Sequence, residues 1–191
     1  ASQARPPAPL RPPLTQDTDV DVCVIGGGLA GLSTALEVAR RGWSVAVLER
    51  RRVAWNASSR NTGFVRPGFD QTTKTLIERV GPDHAREVWL LSQEGLEQVR
   101  RNANDMPARD IVQGEGFLHV SKTDRASAVS DEAEMLRGLG ADIEFWPADL
   151  VRTKVKSPFY FQAIHFPPAF SIDPYRYALG LAGLAEAAGA R

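Results

Sequence analysis

Three glycines at a fixed spacing are the residues of this chain best placed for chemistry, because they allow a backbone to approach phosphate closely. Gly26, Gly28 and Gly31 come directly after an apolar run, Val22–Ile25. In a strand–turn–helix unit the first glycine permits a tight turn, the second lets the backbone approach a pyrophosphate, and the third lets the helix pack against the strand. The N–H groups at the helix start and the positive end of its dipole then face the anion. The spacing therefore predicts a dinucleotide site formed by Gly26, Gly28, Leu29, Ala30 and Gly31.

The elements around the glycines supply the context that this motif requires. A helical pattern covers residues 29–41 and ends at Gly42, and a second apolar run, Val45–Leu48, follows it. Glu49 comes next, 18 residues after Gly31, where a carboxylate can accept hydrogen bonds from a ribose hydroxyl. Strand, glycine turn, helix, strand and acid in this order favour a Rossmann-like βαβ unit. The alternatives are glycines needed only for close packing, and a Glu49 that merely ends a strand.

A polar loop after the second strand helps to choose the cofactor. Residues 56–64 read Asn-Ala-Ser-Ser-Arg-Asn-Thr-Gly-Phe and are rich in hydrogen-bond donors. The groups that could face a pyrophosphate or the edge of a flavin ring belong to Ser58, Ser59, Arg60, Asn61 and the backbone N–H of Gly63. The glycine motif alone does not distinguish NAD from FAD, and this loop does more to decide between them.

Through this loop the chain resembles the family of FAD-dependent amine and amino-acid oxidases, the D-amino-acid oxidase-like (DAO) family, and within it the gamma-glutamylputrescine oxidoreductase-like branch. Members of that branch carry Gly-Ala-Ser-Gly-Arg-Asn-Gly-Gly after the acid. The positions that match are Ala57, Ser58, Arg60, Asn61 and Gly63. Asn56, Ser59 and Thr62 stand where the branch has glycine, so this chain carries side chains at three places that glycine otherwise leaves open.

The resemblance implies a fold, a cofactor and a reaction. The fold is α/β, a Rossmann-like FAD/NAD(P)-binding fold with the start of an interleaved α+β substrate domain. The cofactor is FAD, and the reaction is oxidation of a C–N bond of a small-molecule amine or amino acid by hydride transfer to the flavin, which supplies the difficult chemistry. The cofactor-binding residues that it implies are Gly26, Gly28, Leu29, Ala30, Gly31, Glu49, Arg50, Ser58, Ser59, Arg60, Asn61, Thr62 and Gly63. Catalytic residues are not assigned from the sequence.

Members of this family are usually much longer than 191 residues. The resemblance thus implies the N-terminal part of an FAD-dependent oxidoreductase, whose partner is the missing C-terminal half or a complementary subunit. It allows for an isolated chain that is inactive. Two other interpretations stay open: an NAD(P)-binding dehydrogenase domain, and a non-catalytic nucleotide-binding remnant or subunit.

The sequence divides into four segments. Residues 1–18 are an extended Pro-rich arm, with five prolines in the first thirteen residues, a composition typical of extended linkers. Residues 19–80 are the FAD-binding βαβ segment, and residues 81–170 are an incomplete substrate-domain segment. Residues 171–191 are a helix that returns to the nucleotide domain.

Hydrophobic periodicity predicts further elements after the nucleotide motif. Helices are expected at residues 71–80, from Pro82 to residues 105–107, and at 123–139 and 149–152; strands are expected at 111–120, 143–146 and 160–166. Pro167 and Pro168 are expected to end the last strand, since proline donates no ladder hydrogen bond. Asp173 is expected to cap a final helix, with Pro174 at its first position and Gly189 past its end.

Composition and charge narrow the class of protein. Hydrophobic residues make up 43% and charged residues 24% of the chain, as in packed domains. The net charge is zero, so there is no overall footprint for nucleic acid. No run approaches the ~20 apolar residues of a membrane span and no secretory signal is visible, so we expect a cytoplasmic enzyme.

Five arginines cluster in sequence around the proposed pyrophosphate loop. They either attract an anionic cofactor or form a solvated face: Arg50, Arg51, Arg52, Arg60 and Arg66.

The remaining reactive side chains carry weaker signals. Cys23, the single cysteine, is expected to be a small buried hydrophobe in the first strand. His84 is expected at the surface, and His119 and His165 lie in strand-like segments, where a lone histidine more often packs than catalyses. No cluster of His, Cys and acid has the spacing of metal ligands, so no metal site is expected.

Overall fold

The computed structural model describes residues 8–191. The described residues form two compact units: unit 1 takes in residues 8–63, 101–111 and 172–191, and unit 2 takes in residues 64–100 and 112–171. The elements in chain order are β1 (Val22–Ile25), α1 (Leu29–Arg40), β2 (Val45–Leu48), a 3-10 turn (Ala57–Ser59), β3 (Phe64–Val65), α2 (Thr73–Val80), α3 (Pro82–Asp105), β4 (Val112–Val120), α4 (Ala126–Gly138), β5 (Glu144–Trp146), α5 (Ala148–Val155), β6 (Ala163–Ile172) and α6 (Pro174–Ala187).

Unit 1 is built on a parallel pair of strands. β1 pairs with β2 from Val22 opposite Val45 to Ile25 opposite Leu48, and α1 provides the crossover that parallel strands need. α1 buries Leu32, Ala35, Leu36 and Ala39 and packs against α6. The backbone of Arg191 pairs with β2: its N–H donates to Val45 O at 2.9 Å, and its carbonyl accepts from Val47 N at 2.7 Å. The α/β, Rossmann-like interpretation of residues 22–49 is confirmed at the level of these elements.

The cap of α6 is formed as the sequence predicts. The Asp173 carboxylate is 3% exposed and accepts hydrogen bonds from the backbone N–H groups of Tyr175 and Arg176, both at 3.1 Å. Pro174 is the first helical residue, where its missing N–H has no intrahelical partner to lose. Gly189 follows the helix with φ +103°, a conformation that glycine adopts readily.

Unit 2 contains a mostly antiparallel sheet in the order β3-β6-β4, with β5 also paired to β6. β3 places Phe64 opposite Ser171 and Val65 opposite Phe170. β5 places Glu144 opposite His165 and Trp146 opposite Ala163. The central strand β6 contributes the buried residues Ile164, Phe166 and Phe170, and the helices contribute Trp89 and Val151.

The expectation that Pro167 and Pro168 end a strand is wrong. β6 runs through both prolines to Ile172. Of the three strands that pair with β6, β5 pairs with residues 163–165 and β3 with residues 170–171. Neither proline takes part in these two ladders, so their missing N–H groups break no bond of either. The Pro168 carbonyl instead accepts a hydrogen bond from Arg100 Nη2 at 3.2 Å.

The expectation that Cys23 is buried is also wrong. β1 alternates between half-buried Val22 and Val24 and exposed Cys23 and Ile25. Val24 faces α1, since its Cγ1 would lie 3.2 Å from a Cβ at Gly31. The opposite face carries Ile25, which is 87% exposed, so within residues 8–191 no element covers Cys23.

Other boundaries move by a few residues. α2 begins at Thr73 because Thr72 caps it, and α4 begins at Ala126 where the sequence suggested residue 123. α5 extends from Ala148 to Val155, beyond the short turn expected at 149–152. The first boundary between the two compact units lies after Gly63, whereas the sequence placed the segment boundary after residue 80; the assignment of segments to cofactor and substrate stays a prediction.

Candidate functional site

The glycine turn has the geometry that the spacing predicts. Gly26 has φ +109°, and its N–H donates to Leu48 O at 2.8 Å, which ties the turn to the end of β2. A Cβ at Gly31 would lie 2.0 Å from the Gly26 carbonyl oxygen, a separation that no side chain tolerates. Gly31 is therefore required for α1 to start this close to β1.

The start of α1 is joined to the polar loop. Gly28 is the N-cap, and no side chain of its own can cap the helix. The N–H of Leu29 donates to Ser58 Oγ at 3.0 Å, and a Cβ at Gly28 would lie 2.9 Å from the same oxygen. The next N–H groups, of Ala30 and Gly31, belong to the first helical turn and have no preceding carbonyl to bond. They remain available to an anion.

Glu49 is held at the glycine turn by both of its carboxylate oxygens. Oε2 accepts from Gly27 N at 2.8 Å, and Oε1 accepts from Arg51 N at 2.8 Å. The carboxylate is half-buried and keeps further lone pairs, so it can accept from a ribose hydroxyl without leaving these bonds. The side chain is fixed before a ligand arrives.

The second half of the loop is closed by Asn61. Its Nδ2 donates to the carbonyls of Ala57 and Ser58 at 3.1 and 3.2 Å, and its Oδ1 accepts from Gly63 N at 2.8 Å. The Gly63 N–H, which the sequence offered to a cofactor, is thus engaged by Asn61. Gly63 has φ +75°, and a Cβ there would lie 2.1 Å from Ile172 O.

The other loop residues are less constrained. Ser59 Oγ donates to the Asn56 carbonyl at 3.2 Å, and Arg60 and Thr62 are exposed. α6 packs against the 3-10 turn that carries Ser58 and Ser59, so this helix supports the loop from within unit 1.

The five arginines near the loop do not act as one group. Arg51 and Arg60 both stack on Trp55, with Cζ 5.5 and 5.6 Å from the ring centroid. Arg50 is exposed, and an Arg52 guanidinium nitrogen donates to the Ala8 carbonyl. Arg66 lies in unit 2, where it stacks on a phenylalanine ring. Three of the five, Arg50, Arg51 and Arg60, therefore leave their charge near the turn and loop.

The histidines separate into three environments. His84 is exposed on α3, as expected. His165 Nδ1 lies 2.9 Å from Glu144 Oε2 and its ring lies 4.7 Å from that of Trp146, which is a packed and satisfied arrangement. The Trp146 indole N–H, and after it His165, lowers the pKa of Glu144. His119 lines a cavity of unit 2.

That cavity of unit 2 is not predicted by the sequence. The sequence feature that could have indicated the cavity is the helical spacing of four residues in or just before α4, all of which line it: Arg125, Val129, Glu132 and Leu136. The same spacing is equally typical of an amphipathic surface helix, in which a polar face exposed to solvent adjoins an apolar face in the core.

In the part of the chain that the structure describes, no group of three or more His, Cys, Asp or Glu could hold a metal ion. No helix there is long and apolar enough to cross a membrane.

The arrangement in unit 1 fits a dinucleotide. A Cβ-free turn leaves room for a pyrophosphate, the first N–H groups of α1 point toward it, and a fixed carboxylate stands at the end of β2 for a ribose. These are the residues Gly26, Gly28, Leu29, Ala30, Gly31 and Glu49, with Ser58 bonded to the helix start.

Known proteins of similar sequence identify the family of this chain. A family model described as FAD dependent oxidoreductase matches residues 21–191. The probable oxidoreductase OrdL of Haemophilus influenzae is 32% identical over 173 residues, 90% of this chain and 40% of the relative. The gamma-glutamylputrescine oxidoreductase of Escherichia coli is 31% identical over 180 residues, 93% of this chain and 42% of the relative. The chain thus spans about two fifths of the length of these relatives.

Solved structures share the fold. Glycine oxidase from Bacillus cereus superposes with a TM-score of 0.65 at 22% identity, over 90% of this chain and 45% of that one. An L-amino acid deaminase from Proteus vulgaris superposes with a TM-score of 0.73 at 19% identity, over 96% of this chain and 41% of that one. At these identities the likeness concerns the fold, and it confirms the Rossmann-like interpretation.

Proposed function

We propose a function from one premise: this chain belongs to the family of FAD-dependent oxidoreductases, whose model matches residues 21–191. Unit 1 binds the ADP part of FAD, with the pyrophosphate at the Gly26–Gly31 turn and the first N–H groups of α1, and the ribose at Glu49. The observation that carries this proposal is the geometry of that turn. Gly31 packs so close to the Gly26 carbonyl that no side chain would fit, and the Glu49 carboxylate accepts a hydrogen bond from Gly27 N.

The polar loop has two roles in this proposal. Ser58 caps α1 through Leu29 N, and so holds the loop against the pyrophosphate site. Arg50, Arg51 and Arg60 add positive charge near the turn and loop, which favours an anionic cofactor. Ser59, Asn61, Thr62 and Gly63 continue the loop toward β3 and are assigned to the flavin end of the cofactor, where the hydrogen bond from Gly63 N to Asn61 Oδ1 fixes the loop backbone.

The reaction that we propose is oxidation of a C–N bond in a small amine or amino acid. FAD held by these residues would supply the two-electron acceptor for oxidation of the carbon next to nitrogen, and water would hydrolyse the imine product to a carbonyl compound and ammonia or an amine. The residues of this chain bind and orient the cofactor. Two relatives support the substrate class by name, the gamma-glutamylputrescine oxidoreductase and the glycine oxidase.

The completed enzyme, we propose, includes further polypeptide, either in the same chain or as a second subunit. The relatives support this, since this chain matches 40% and 42% of their lengths. The exposed face of β1, which carries Ile25, would then be covered. The cytoplasmic location stays a prediction.

A cofactor titration tests the proposal. The purified chain is mixed with FAD, NAD or NADP and passed through gel filtration. Its visible spectrum then reports retained flavin, and its ultraviolet absorbance relative to the unmixed chain reports retained NAD or NADP. We expect a flavin band that travels with the protein at one flavin per chain and no retained nicotinamide cofactor. Retention of NAD or NADP without FAD would favour the interpretation as an NAD(P)-binding dehydrogenase domain. Retention of no cofactor would favour a non-catalytic remnant.

A variant at the loop sharpens the same test. Ser58→Ala removes the acceptor of the part-buried Leu29 N–H and releases the loop from the helix start, so it should weaken FAD binding about fivefold to tenfold, roughly the free energy of one hydrogen bond. Ser130→Ala on α4, in unit 2, is the matched control and should leave binding unchanged. Equal affinity of the two variants would contradict the role of Ser58.

A further inference from the structure

A cavity of about 400 Å³ lies within unit 2, inside the ~300–1,000 Å³ range of small-molecule sites. Its apolar wall includes Trp89 from α3, Val129 and Leu136 from α4, and Ile164 and Phe166 from β6. An apolar wall with a few polar groups is typical of ligand sites. The polar groups therefore decide which ligand the cavity fits.

One face of α4 arranges charge along this cavity. Arg125 immediately precedes the helix, Ala128 and Val129 follow one turn later, and Glu132 lies one further turn on; all four line the cavity. Arg125 and Glu132 are seven residues apart, which corresponds to ~10 Å along a helix axis. Along this face of α4, the cationic Arg125 and the anionic Glu132 therefore lie on either side of the apolar residues Ala128 and Val129.

Contacts with neighbouring elements hold the Glu132 carboxylate and the backbone at Arg125 in place. Glu132 Oε1 accepts from Thr73 Oγ1 of α2 at 2.6 Å. The backbone N–H of Arg125 donates to Gln162 Oε1 at 3.1 Å, and Gln162 Nε2 in turn donates to Asp124 Oδ1 at 2.7 Å. Gln162 is buried, so this end of the helix is anchored to the residue just before β6.

Neither charge is neutralised within residues 8–191. No carboxylate lies within salt-bridge distance of the Arg125 guanidinium, and no cationic side chain lies within that distance of Glu132. A ligand that brought the opposite charge to each end would make two charge-assisted hydrogen bonds, which are stronger than neutral ones. Its middle would contact Ala128, Val129 and the apolar wall.

We propose that this cavity binds a linear zwitterion, with the ligand carboxylate at Arg125, its ammonium at Glu132, and a short polymethylene chain between them. Arg66, Asp70 and His119 also line the cavity, and Arg66 stacks on Phe117 with Cζ 5.6 Å from the ring centroid. The proposal assigns the carboxylate to Arg125 because only Arg125 shares a helix face with Glu132.

Trp89 offers a direct readout. Its side chain is 4% exposed, and its indole N–H is buried without a hydrogen-bond partner in the structure. A ligand that fills the cavity changes the environment of this ring, so Trp89 fluorescence reports occupancy. Trp89→Phe should remove most of the fluorescence change while calorimetry still detects binding.

The test compares three probes on the full chain: 6-aminohexanoate, which carries both charges, hexanoate, which lacks the ammonium, and hexylamine, which lacks the carboxylate. We expect 6-aminohexanoate to bind about tenfold more tightly than either single-charge probe, one charged contact being worth about a factor of ten. Equal affinity of the three probes, or binding of none, would overturn the proposal.

Four variants assign the ends. Arg125→Met should reduce the affinity for 6-aminohexanoate about tenfold and leave the affinity for hexylamine unchanged. Glu132→Gln keeps an acceptor for Thr73; it should also reduce the affinity for 6-aminohexanoate about tenfold, and should leave the affinity for hexanoate unchanged. Glu134→Gln lies on the same helix outside the cavity and is the control, expected to bind as the unmodified chain does. A loss in Arg66→Met as large as that in Arg125→Met would overturn the assignment of the carboxylate.

The site lies among residues of unit 2, and the measurement uses no flavin. Failure of the zwitterion to bind would leave the proposed FAD site untouched, and failure to bind FAD would leave this result untouched. Far-UV circular dichroism of each variant, compared with the unmodified chain, separates loss of binding from loss of folding.

Discussion

At the scale of single residues, backbone distances decide whether the nucleotide turn can form. Gly31 approaches the Gly26 carbonyl so closely that a Cβ would overlap it, and Glu49 bonds to Gly27 N on the other side of the turn. Such close approach is the physical reason for glycine at these positions. The turn is therefore sensitive to the addition of one methyl group.

Gly31→Ala should abolish FAD binding, because the new Cβ would lie 2.0 Å from Gly26 O and α1 would have to move away from β1. The measurement is retention of the visible flavin band, with the thermal midpoint recorded in parallel. Gly183→Ala is the matched control, since it also lies in a helix and its Cβ would meet nothing within 4 Å. It should bind FAD normally and be more stable by up to about 1 kcal/mol, as alanine favours helix. Normal FAD binding by Gly31→Ala would contradict the proposed turn.

At the scale of elements, α6 joins the separate parts of unit 1. It packs against α1 and against the turn that carries Ser58, and its N-terminus is capped by Asp173, whose own N–H donates to Ile111 O at 2.8 Å. The helix buries Tyr177, Ala178, Leu181 and Ala182. The cap thus sets where a helix that supports the proposed cofactor site begins.

Asp173→Ala should lower the free energy of unfolding by about 1–2 kcal/mol, since it leaves the N–H groups of Tyr175 and Arg176 without their acceptor. Urea denaturation followed by circular dichroism measures the change. Asp173→Asn retains a capping oxygen and should lose much less, and Asp142→Ala, at an exposed carboxylate, should be neutral. If Asp173→Asn lost as much as Asp173→Ala, the charge and not the cap would be the stabilising feature.

At the scale of the whole molecule, each unit is assembled from segments that are distant in sequence. Unit 1 takes residues 101–111 and 172–191 in addition to the chain up to Gly63. Arg40 of α1, for example, bonds to Asn102 at 3.2 Å and to Asp105 at 3.0 Å. In unit 1 the face of β1 opposite α1 stays exposed at Cys23 and Ile25.

The single thiol reports on that face. Cys23 should react with Ellman's reagent without denaturant, to one thiol per chain, because its side chain is exposed. Cys23→Ser should release no chromophore and serves as the control. A thiol that reacts only after denaturation would show that this face is covered in solution, as the sequence alone suggested.

Short-range rules were sufficient for much of this protein. The glycine spacing, with Glu49 at the end of the next strand, predicted a βαβ unit with a dinucleotide site. Asp173 with Pro174 predicted the start of α6, because a cap depends on residues within a few positions of one another. The resemblance carried by residues 57–63 predicted the family, which is confirmed over residues 21–191. The contacts of the individual site residues with FAD stay predictions.

Only the tertiary structure decided the rest. That Ser58 caps a helix 29 residues earlier in the chain, that β6 passes through Pro167 and Pro168, and that Cys23 faces outward all depend on which distant segments become neighbours. The charged face of α4 became a cavity wall for the same reason, since α2, α3 and β6 had to pack beside it. Local pattern specifies an element and its chemistry, whereas packing between elements specifies which side of that element is covered and what it meets.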